Sequence, residues 1–325
     1  MGQNCGAARL KTEILHTSGS TGKPKEIAVE YDRMLASARM TCDFLGLKEG
    51  DTALLCLSTR YIAGRMMEIR AAERKMRLIR REPSAHPLKD VGETVDFAAM
   101  VPLQVYETIH NATERERFAR IRHVIIGGGA VDRELEDELR TFPNNIWSTY
   151  GMTETLSHVA MRRIAPATSA GNDASAYYRP LPGVRLSQDE RGCLVIDAPH
   201  LNPSVLHTND VVAFDSDGGF VVKGRTDNVI CSGGIKIQIE EVEAVLHEYF
   251  GDTVMVTAKP NRKFGEVVVY LTTQMPDGHA LRLAVPPYWL PKQIILVDRL
   301  PKTETGKPDR AKAREIALQQ SGKLE

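Results

Sequence analysis

The chain has 325 residues, 42% of them apolar, and 42 basic residues balance 42 acidic ones, so its formal net charge is zero. That balance argues against a general role on nucleic acid or on a membrane surface, and no apolar run approaches the ~20 residues that span a bilayer. The length suffices for one large domain or two with a sizeable core.

The first informative segment is Thr17-Ser18-Gly19-Ser20-Thr21-Gly22-Lys23-Pro24-Lys25, between the apolar runs Ile14-Leu15 and Ile27-Ala28-Val29. The pattern predicts a strand, a loop and a strand. The loop offers backbone N–H groups, hydroxyls and cations to an anion such as a nucleotide triphosphate. It is not a Walker A loop, because only two residues separate Gly19 from Gly22. Pro24 also biases Lys23 away from helical geometry. Taken by itself, the segment reads equally well as a solvated Gly/Ser turn.

Residues 32–45 predict a helix with Met34, Leu35, Ala38 and Phe44 toward the core, and 63–72 predict another. Apolar runs at 52–57, 76–79 and 95–100 predict strands. A further strand, 123–126, runs into Gly127-Gly128-Gly129 and then a helix with Val131, Leu135 and Leu139 every fourth residue. Strand, glycine turn and amphipathic helix in succession argue for an α/β sheet with ligands at the strand C-termini. The glycines Gly128 and Gly129 let a ligand approach the backbone closely, or else make a purely structural turn.

Residues 165–182 have the composition of a surface loop. Strands follow at 194–196, 211–214 and 220–222, the last two joined by the turn Asp215-Ser216-Asp217-Gly218-Gly219. From Asp227 the pattern changes to α+β. A helix at 240–250 carries Val242, Val245, Leu246, Tyr249 and Phe250 on one face, with strands at 254–258, 267–273 and 294–297. The cysteines Cys5, Cys42, Cys56, Cys193 and Cys231 are scattered and lack CxxC spacing, which points to reduced thiols in a cytoplasmic protein and to no metal cluster. The N-terminus shows no secretory signal pattern.

The glycine-rich nonapeptide resembles the phosphate-binding loop of the adenylate-forming superfamily, which includes acyl-CoA synthetases, luciferases and peptide-synthetase adenylation domains. Four further motifs agree in order. Tyr150-Gly151-Met152-Thr153-Glu154-Thr155 resembles the Tyr-Gly-x-Thr-Glu segment, and Thr208-Asn209-Asp210 resembles Thr-Gly-Asp with Asn for Gly. Gly224-Arg225-Thr226-Asp227-Asn228 through Ser232-Gly233-Gly234-Ile235-Lys236-Ile237 resembles the hinge segment. Pro301-Lys302-Thr303-Glu304-Thr305-Gly306-Lys307 resembles the loop of the catalytic lysine. The one departure is that only 16 residues precede the phosphate loop, fewer than the family carries, so a reduced or partner-dependent enzyme is also compatible.

The resemblance implies a large N-terminal α/β domain with mixed sheets and a β-rich subdomain (1–226), and a small mobile α+β lid (227–325) hinged at Asp227. It implies that Thr17, Ser18, Gly19, Ser20, Thr21, Gly22 and Lys23 bind ATP, with Ser18, Ser20, Thr21 and Lys23 holding its β- and γ-phosphates. Glu154 holds Mg²⁺, Thr153 touches the α-phosphate, and Tyr150, Gly151, Gly128 and Gly129 line the nucleotide site. Asp210 takes the ribose hydroxyls with Arg225 assisting, and Lys307 supplies the catalytic cation. Gly233 and Gly234 lie where the pantetheine of CoA passes, and Lys236 is a candidate for a CoA phosphate. Each of these residues, taken singly, also reads as an ordinary turn, surface or helix-start residue.

Tyr61-Ile62-Ala63-Gly64-Arg65-Met66-Met67, Arg70-Ala71, Val101-Pro102-Leu103-Gln104 and Ser157-His158-Val159-Ala160 resemble the compact bacterial o-succinylbenzoate–CoA ligases of menaquinone synthesis. That substrate keeps a second carboxylate, which calls for a cation or several donors. Arg65 and Arg70 are the candidates, with His158 lining the pocket; both arginines also read as surface or helix-packing residues. The expectation is a cytoplasmic acid–CoA ligase with small-molecule acid, ATP and CoA as partners, using neither nucleic acid nor membrane, and compatible with a homo-oligomer. The alternatives are another aryl- or acyl-CoA synthetase, or a non-catalytic acyl-adenylate-binding protein.

Overall fold

The computed structural model describes residues 12–16, 26–166, 176–303 and 306–320. Strands β1 (Thr12–His16) and β2 (Glu26–Glu30) form an antiparallel pair, as the apolar runs flanking the glycine-rich segment predict. There follow α1 (Tyr31–Leu45), β3 (Thr52–Leu55), α2 (Ile62–Glu73), β4 (Arg77–Arg80), β5 (Phe97–Met100), α3 (Pro102–Ile109) and α4 (Ala112–Ala119). Next come β6 (His123–Ile126), α5 (Arg133–Leu139), β7 (Asn145–Gly151), β8 (His158–Ala165) and β9 (Arg179–Pro180). The seven strands β3 to β9 form one sheet in the order β4-β3-β5-β6-β7-β8-β9. β4 through β7 in that order run parallel, and β8 and β9 are antiparallel additions.

Alternation along each central strand sends side chains to two cores. Ala53, Leu55 and Ile125 join α1 and α2 on one face; Leu54, Val124 and Ile126 join α3, α4 and α5 on the other. The first core continues into an antiparallel sheet of β10 (Arg185–Gln188), β11 (Cys193–Asp197), β12 (Leu206–Phe214) and β13 (Phe220–Arg225), through Leu194, Ile196, Val212 and Phe220.

The remaining chain forms β14 (Val229–Ser232), β15 (Ile235–Gln238), α6 (Ile239–Phe250), β16 (Val254–Asn261), β17 (Gly265–Thr272), α7 (Gly278–Ala284), β18 (Gln293–Leu296) and α8 (Arg310–Gln319). Its five-stranded sheet runs β15-β14-β17-β16, with β18 parallel to β17. Val256, Ala258, Val268 and Tyr270 pack under α6 and α7, while Met255, Val269, Leu271 and Ile295 meet Ala313 and Ala317 of α8. The architecture is therefore a large mixed α/β region with several sheets and a smaller C-terminal α+β unit, as the sequence predicts.

Two expected core residues sit differently. Phe44 is 41% exposed at the rim of α1, edge-on to Trp147 at 5.1 Å, and Tyr249 is 59% exposed on the last turn of α6. The apolar periodicity also gave no warning of α3, α4, β7 or β8. Among the described residues no helix is long and apolar enough to cross a membrane.

Candidate active site

The parallel strands bring their C-terminal ends to one edge of the sheet, where open α/β folds bind ligands. After β6 the backbone of Gly128 turns at φ +81°, a left-handed conformation that side chains resist, and Val101 would lie 3.3 Å from an added Cβ. β7 ends at Gly151, where its bulged pairing with β8 puts Ser157 O 2.2 Å from the place of a Cβ. No side chain fits there.

A charged centre lies between β7, β12, β13 and the C-terminal unit. Asp210, 8% exposed, accepts hydrogen bonds from Tyr150 Oη at 2.5 Å and from Arg225 Nη1 at 2.6 Å. Thr208 Oγ1 receives the Asp210 N–H and donates onward to Leu194 O. Burial, together with the Asp210 charge, keeps the Tyr150 phenol protonated far above its usual range. Arg225 also donates from Nε and Nη2 to the two carboxylate oxygens of Asp227, both at 3.0 Å. Burial opposes the Arg225 charge, but its bonds to Asp227 and the charge of Asp210 outweigh that and raise its pKa. Lys307, from the C-terminal unit, is half-buried nearby; burial, and then the Arg225 charge, lower its pKa from the ordinary 10.5. The fold thus brings Tyr150, Asp210, Arg225, Asp227 and Lys307 together from positions up to 157 residues apart in the sequence.

The turn between β7 and β8 contains a single 3-10 turn, Thr153–Thr155. Thr155 Oγ1 receives the Met152 N–H at 2.9 Å and has one proton to donate, with Ser157 O at 2.7 Å and Met152 O at 2.9 Å as its acceptors, so its side chain pins the turn. Leu156 then adopts φ +65°, a costly conformation for a branched side chain, in a buried position that overdetermines it. The Glu154 carboxylate points out, exposed, and among the described residues no donor bonds to it. That leaves it open to a hard cation shared with phosphate oxygens; no trio of His, Cys, Asp or Glu side chains among the described residues is arranged to hold a metal by itself.

Beneath the same turn lies Arg70, 2% exposed. Its Nη2 donates to Ser157 Oγ at 2.7 Å, its Nη1 points at Met67 Sδ 4.0 Å away, and its buried Nε has no partner. Among the described residues no carboxylate pairs with it. Burial lowers its pKa to about 10, so it still carries its charge at neutral pH. Ser37 donates to Ser157 Oγ at 3.2 Å, and Thr41 Oγ1 lies 3.1 Å from His158 Nε2. His158 is buried; desolvation and then the Arg70 charge push its pKa well below 6.5, leaving the ring neutral at pH 7.

Arg65 has a different environment. Nε and Nη2 bind the two oxygens of Glu13 at 2.9 and 2.6 Å, and Nη1 binds Glu68 at 2.7 Å. These partners, Glu13 foremost, raise its pKa. Its guanidinium is already committed to two carboxylates, whereas Arg70 has no acidic partner among the described residues.

Gly233 and Gly234 make the left-handed turn of the β14–β15 hairpin, with Gly233 N–H bonded to Phe264 O at 2.8 Å and Lys236 exposed on β15. They lie apart from the Arg70 cluster, on the C-terminal unit. Thr17, Ser18, Gly19, Ser20, Thr21, Gly22 and Lys23 fall outside the described residues. Sequence reasoning assigns no role to Ser37, Thr41 or Ser157, the last of which stands only within the segment Ser157-His158-Val159-Ala160. The available signal was Ser37 and Thr41 at i and i+4, polar interruptions in the buried stripe formed by Met34, Ala38 and Cys42.

Residues 13–197 match the model of the AMP-binding enzyme family. A solved acyl-CoA synthetase (AMP-forming)/AMP-acid ligase II-like protein from Dyadobacter fermentans DSM 18053 is 36% identical, over 95% of this chain and 90% of that one, with a TM-score of 0.62. The 2-succinylbenzoate–CoA ligase of Listeria monocytogenes serotype 4b (strain F2365) is 27% identical over 93% of this chain and 69% of its own length. The o-succinylbenzoate CoA synthetase of Bacillus subtilis, solved with its acyl-adenylate intermediate, shares the fold with a TM-score of 0.77 at 22% identity, covering 96% of this chain and 69% of that one. With the family match spanning more than half of the chain, the chain belongs to the AMP-binding enzymes, the acyl-adenylate-forming superfamily.

Proposed function

We propose that the chain is an ATP-dependent, AMP-forming acid–CoA ligase acting on o-succinylbenzoate. In the first step a substrate carboxylate oxygen attacks the α-phosphorus of ATP and pyrophosphate leaves. In the second, the thiol of CoA attacks the acyl carbon and AMP leaves. The chain's task is positioning and electrostatics. Asp210 receives the ribose hydroxyls, oriented by Tyr150 and Arg225. Thr153 meets the α-phosphate, and the residues from Thr17 to Lys23 meet the β- and γ-phosphates. Glu154 is the residue to hold Mg²⁺, which neutralises phosphate charge when bound. Lys307 stabilises the charge that builds between carboxylate and α-phosphate. CoA enters past Gly233 and Gly234 once the unit from residue 227 onward has turned about Asp227.

One observation carries the choice of acid: Arg70, a charged guanidinium buried with no acidic partner among the described residues. Isolated buried charge is costly unless something compensates it, and the second carboxylate of o-succinylbenzoate supplies the missing anion. Ser157 presents the guanidinium, and the neutral His158 lines the same pocket without competing for the anion.

Arg70→Met tests this. Its KM for o-succinylbenzoate should rise roughly 10–100-fold, the loss of a charge-assisted bond, while the KM for ATP stays level. The free protein should melt no lower than the parent, because an apolar side chain replaces an unpaired buried charge. Arg65→Ala should leave the acid KM unchanged. Mass spectrometry of products from ATP, CoA, Mg²⁺ and a mixture of mono- and dicarboxylic acids then identifies the preferred acid. Equal use of both acid classes by the parent, or an unchanged KM in Arg70→Met, overturns the assignment.

A further inference from the structure

In the segment that carries Lys307, Lys307 and Gly306 are both tied to Thr303 by bonds among the described residues. Thr303 N–H bonds Lys307 O at 2.8 Å, Lys307 N–H bonds Thr303 Oγ1 at 3.2 Å, and Gly306 N–H bonds Thr303 O at 2.9 Å. A bridge between Lys302 and Pro308 and the bond from Asp309 N–H to Pro301 O at 2.9 Å close its base. These contacts join the two described flanks of the segment, and three residues after Lys307 it is tied to the rest of the C-terminal unit. Arg310, the first residue of α8, grips both oxygens of Glu243 on α6 at 2.5 Å each and reaches Val256 O on β16. Glu243 Oε1 also receives Val256 N–H at 2.7 Å. Both side chains are about four-fifths shielded, at 22% and 21% exposure, so this fork-to-fork pair is not a weak surface bridge.

The geometry points to Glu243 and Arg310 as a positioning pair that aims the Lys307 turn at the charged centre during adenylation. The inference rests on the proposed role of Lys307. The pair is not needed to fold α8, which stays anchored by Ala313 and Ala317 in the core against Met255 and Leu271. Among the described residues the pair's own bonds reach β16, at Val256, and not the CoA-side hairpin of β14 and β15, which lies across β17 from β16. That hairpin is held to α6 separately, by Ile230 and Ile237 against Val242 and Leu246. Loosening it should therefore shift the lysine and spare the second half-reaction.

The test compares Arg310→Met, Arg310→Lys and Glu243→Gln with Lys307→Ala, all in the full chain. Two rates are read: ATP–pyrophosphate exchange and thioester formation from supplied acyl-adenylate. Arg310→Met and Glu243→Gln should lower the first by about 10–100-fold, the scale of a misplacement near 1 Å, and leave the second within about twofold. Arg310→Lys, which keeps a charge but loses the fork, should recover part of the loss. Adding Arg310→Met to Lys307→Ala should cost little more than Lys307→Ala by itself, because a residue acting through another is non-additive with it. Equal loss of both half-reactions, full additivity with Lys307→Ala, or no loss at all would make the pair structural only and overturn the inference. If Lys307→Ala itself fails to separate the two rates, the role of Lys307 falls first and the inference with it.

Discussion

Replacing Lys307 by alanine should slow ATP–pyrophosphate exchange by about 10²–10³-fold, the usual effect of deleting one preorganised group aimed at developing charge. Thioester formation from supplied acyl-adenylate should be nearly unchanged. The expectation follows from the position of the ammonium, half-buried and within electrostatic reach of Arg225, which itself bonds Asp210. Low dielectric strengthens its action on a nearby phosphate and also lowers its pKa. The sign of the pH effect is then fixed. The protonated form is the active one, so kcat/KM for exchange should fall as pH rises through a value below 10.5. Lys307→Arg, with a cation that does not titrate there, should keep activity at higher pH than the parent even if its maximum is lower. A loss shared equally by both half-reactions, or an alkaline limb unmoved in Lys307→Arg, would remove Lys307 from the adenylation step.

Much of the large region could be read from the residues because its apolar runs are short, regular and punctuated by glycine. β3 and β6 carry the apolar runs Ala53-Leu54-Leu55 and Val124-Ile125-Ile126, and the glycine turn after β6 marks the ligand edge. β7 was less legible because Ser148 sits buried at a core position, satisfied by Tyr178 Oη at 2.7 Å, a partner 30 residues away that no local pattern announces. α4 was hidden for a related reason: of its eight residues only Glu114 and Phe118 are buried, and Glu114 is held by Leu88 N–H and His86.

The arginines show the same limit more sharply. Arg65 and Arg70 lie five residues apart on α2 and are chemically identical in the sequence. What separates them is that Glu13, from β1, reaches one and not the other. The motif order singles out Tyr150, Asp210, Arg225 and Lys307, each in a recognisable segment, and the fold brings these residues together. It said nothing of how Arg225 divides its donors between Asp210 and Asp227.

That division bears on the second large effect, expected of Asp227→Pro. Asp227 lies in the short helical turn Thr226–Asn228 between the end of β13 and the start of β14. If the C-terminal unit turns between half-reactions, a few residues at this junction must absorb the change in backbone dihedrals. Proline fixes φ near −65°, which suits a helical turn and forbids wide departure from it. The variant should therefore hold the present arrangement, in which Lys307 faces Arg225, and keep pyrophosphate exchange within about tenfold of the parent, allowing for the lost bonds to Arg225. Thioester formation should fall by 10²-fold or more, on the order of a blocked conformational step. Asp227→Ala separates the two causes. It loses the same carboxylate but leaves φ free, so it should share any modest loss in exchange and still form thioester. Both rates must be measured on one folded preparation of each variant. Full thioester turnover in Asp227→Pro would mean that the pivot lies elsewhere and that the division at residue 226 does not mark the moving unit.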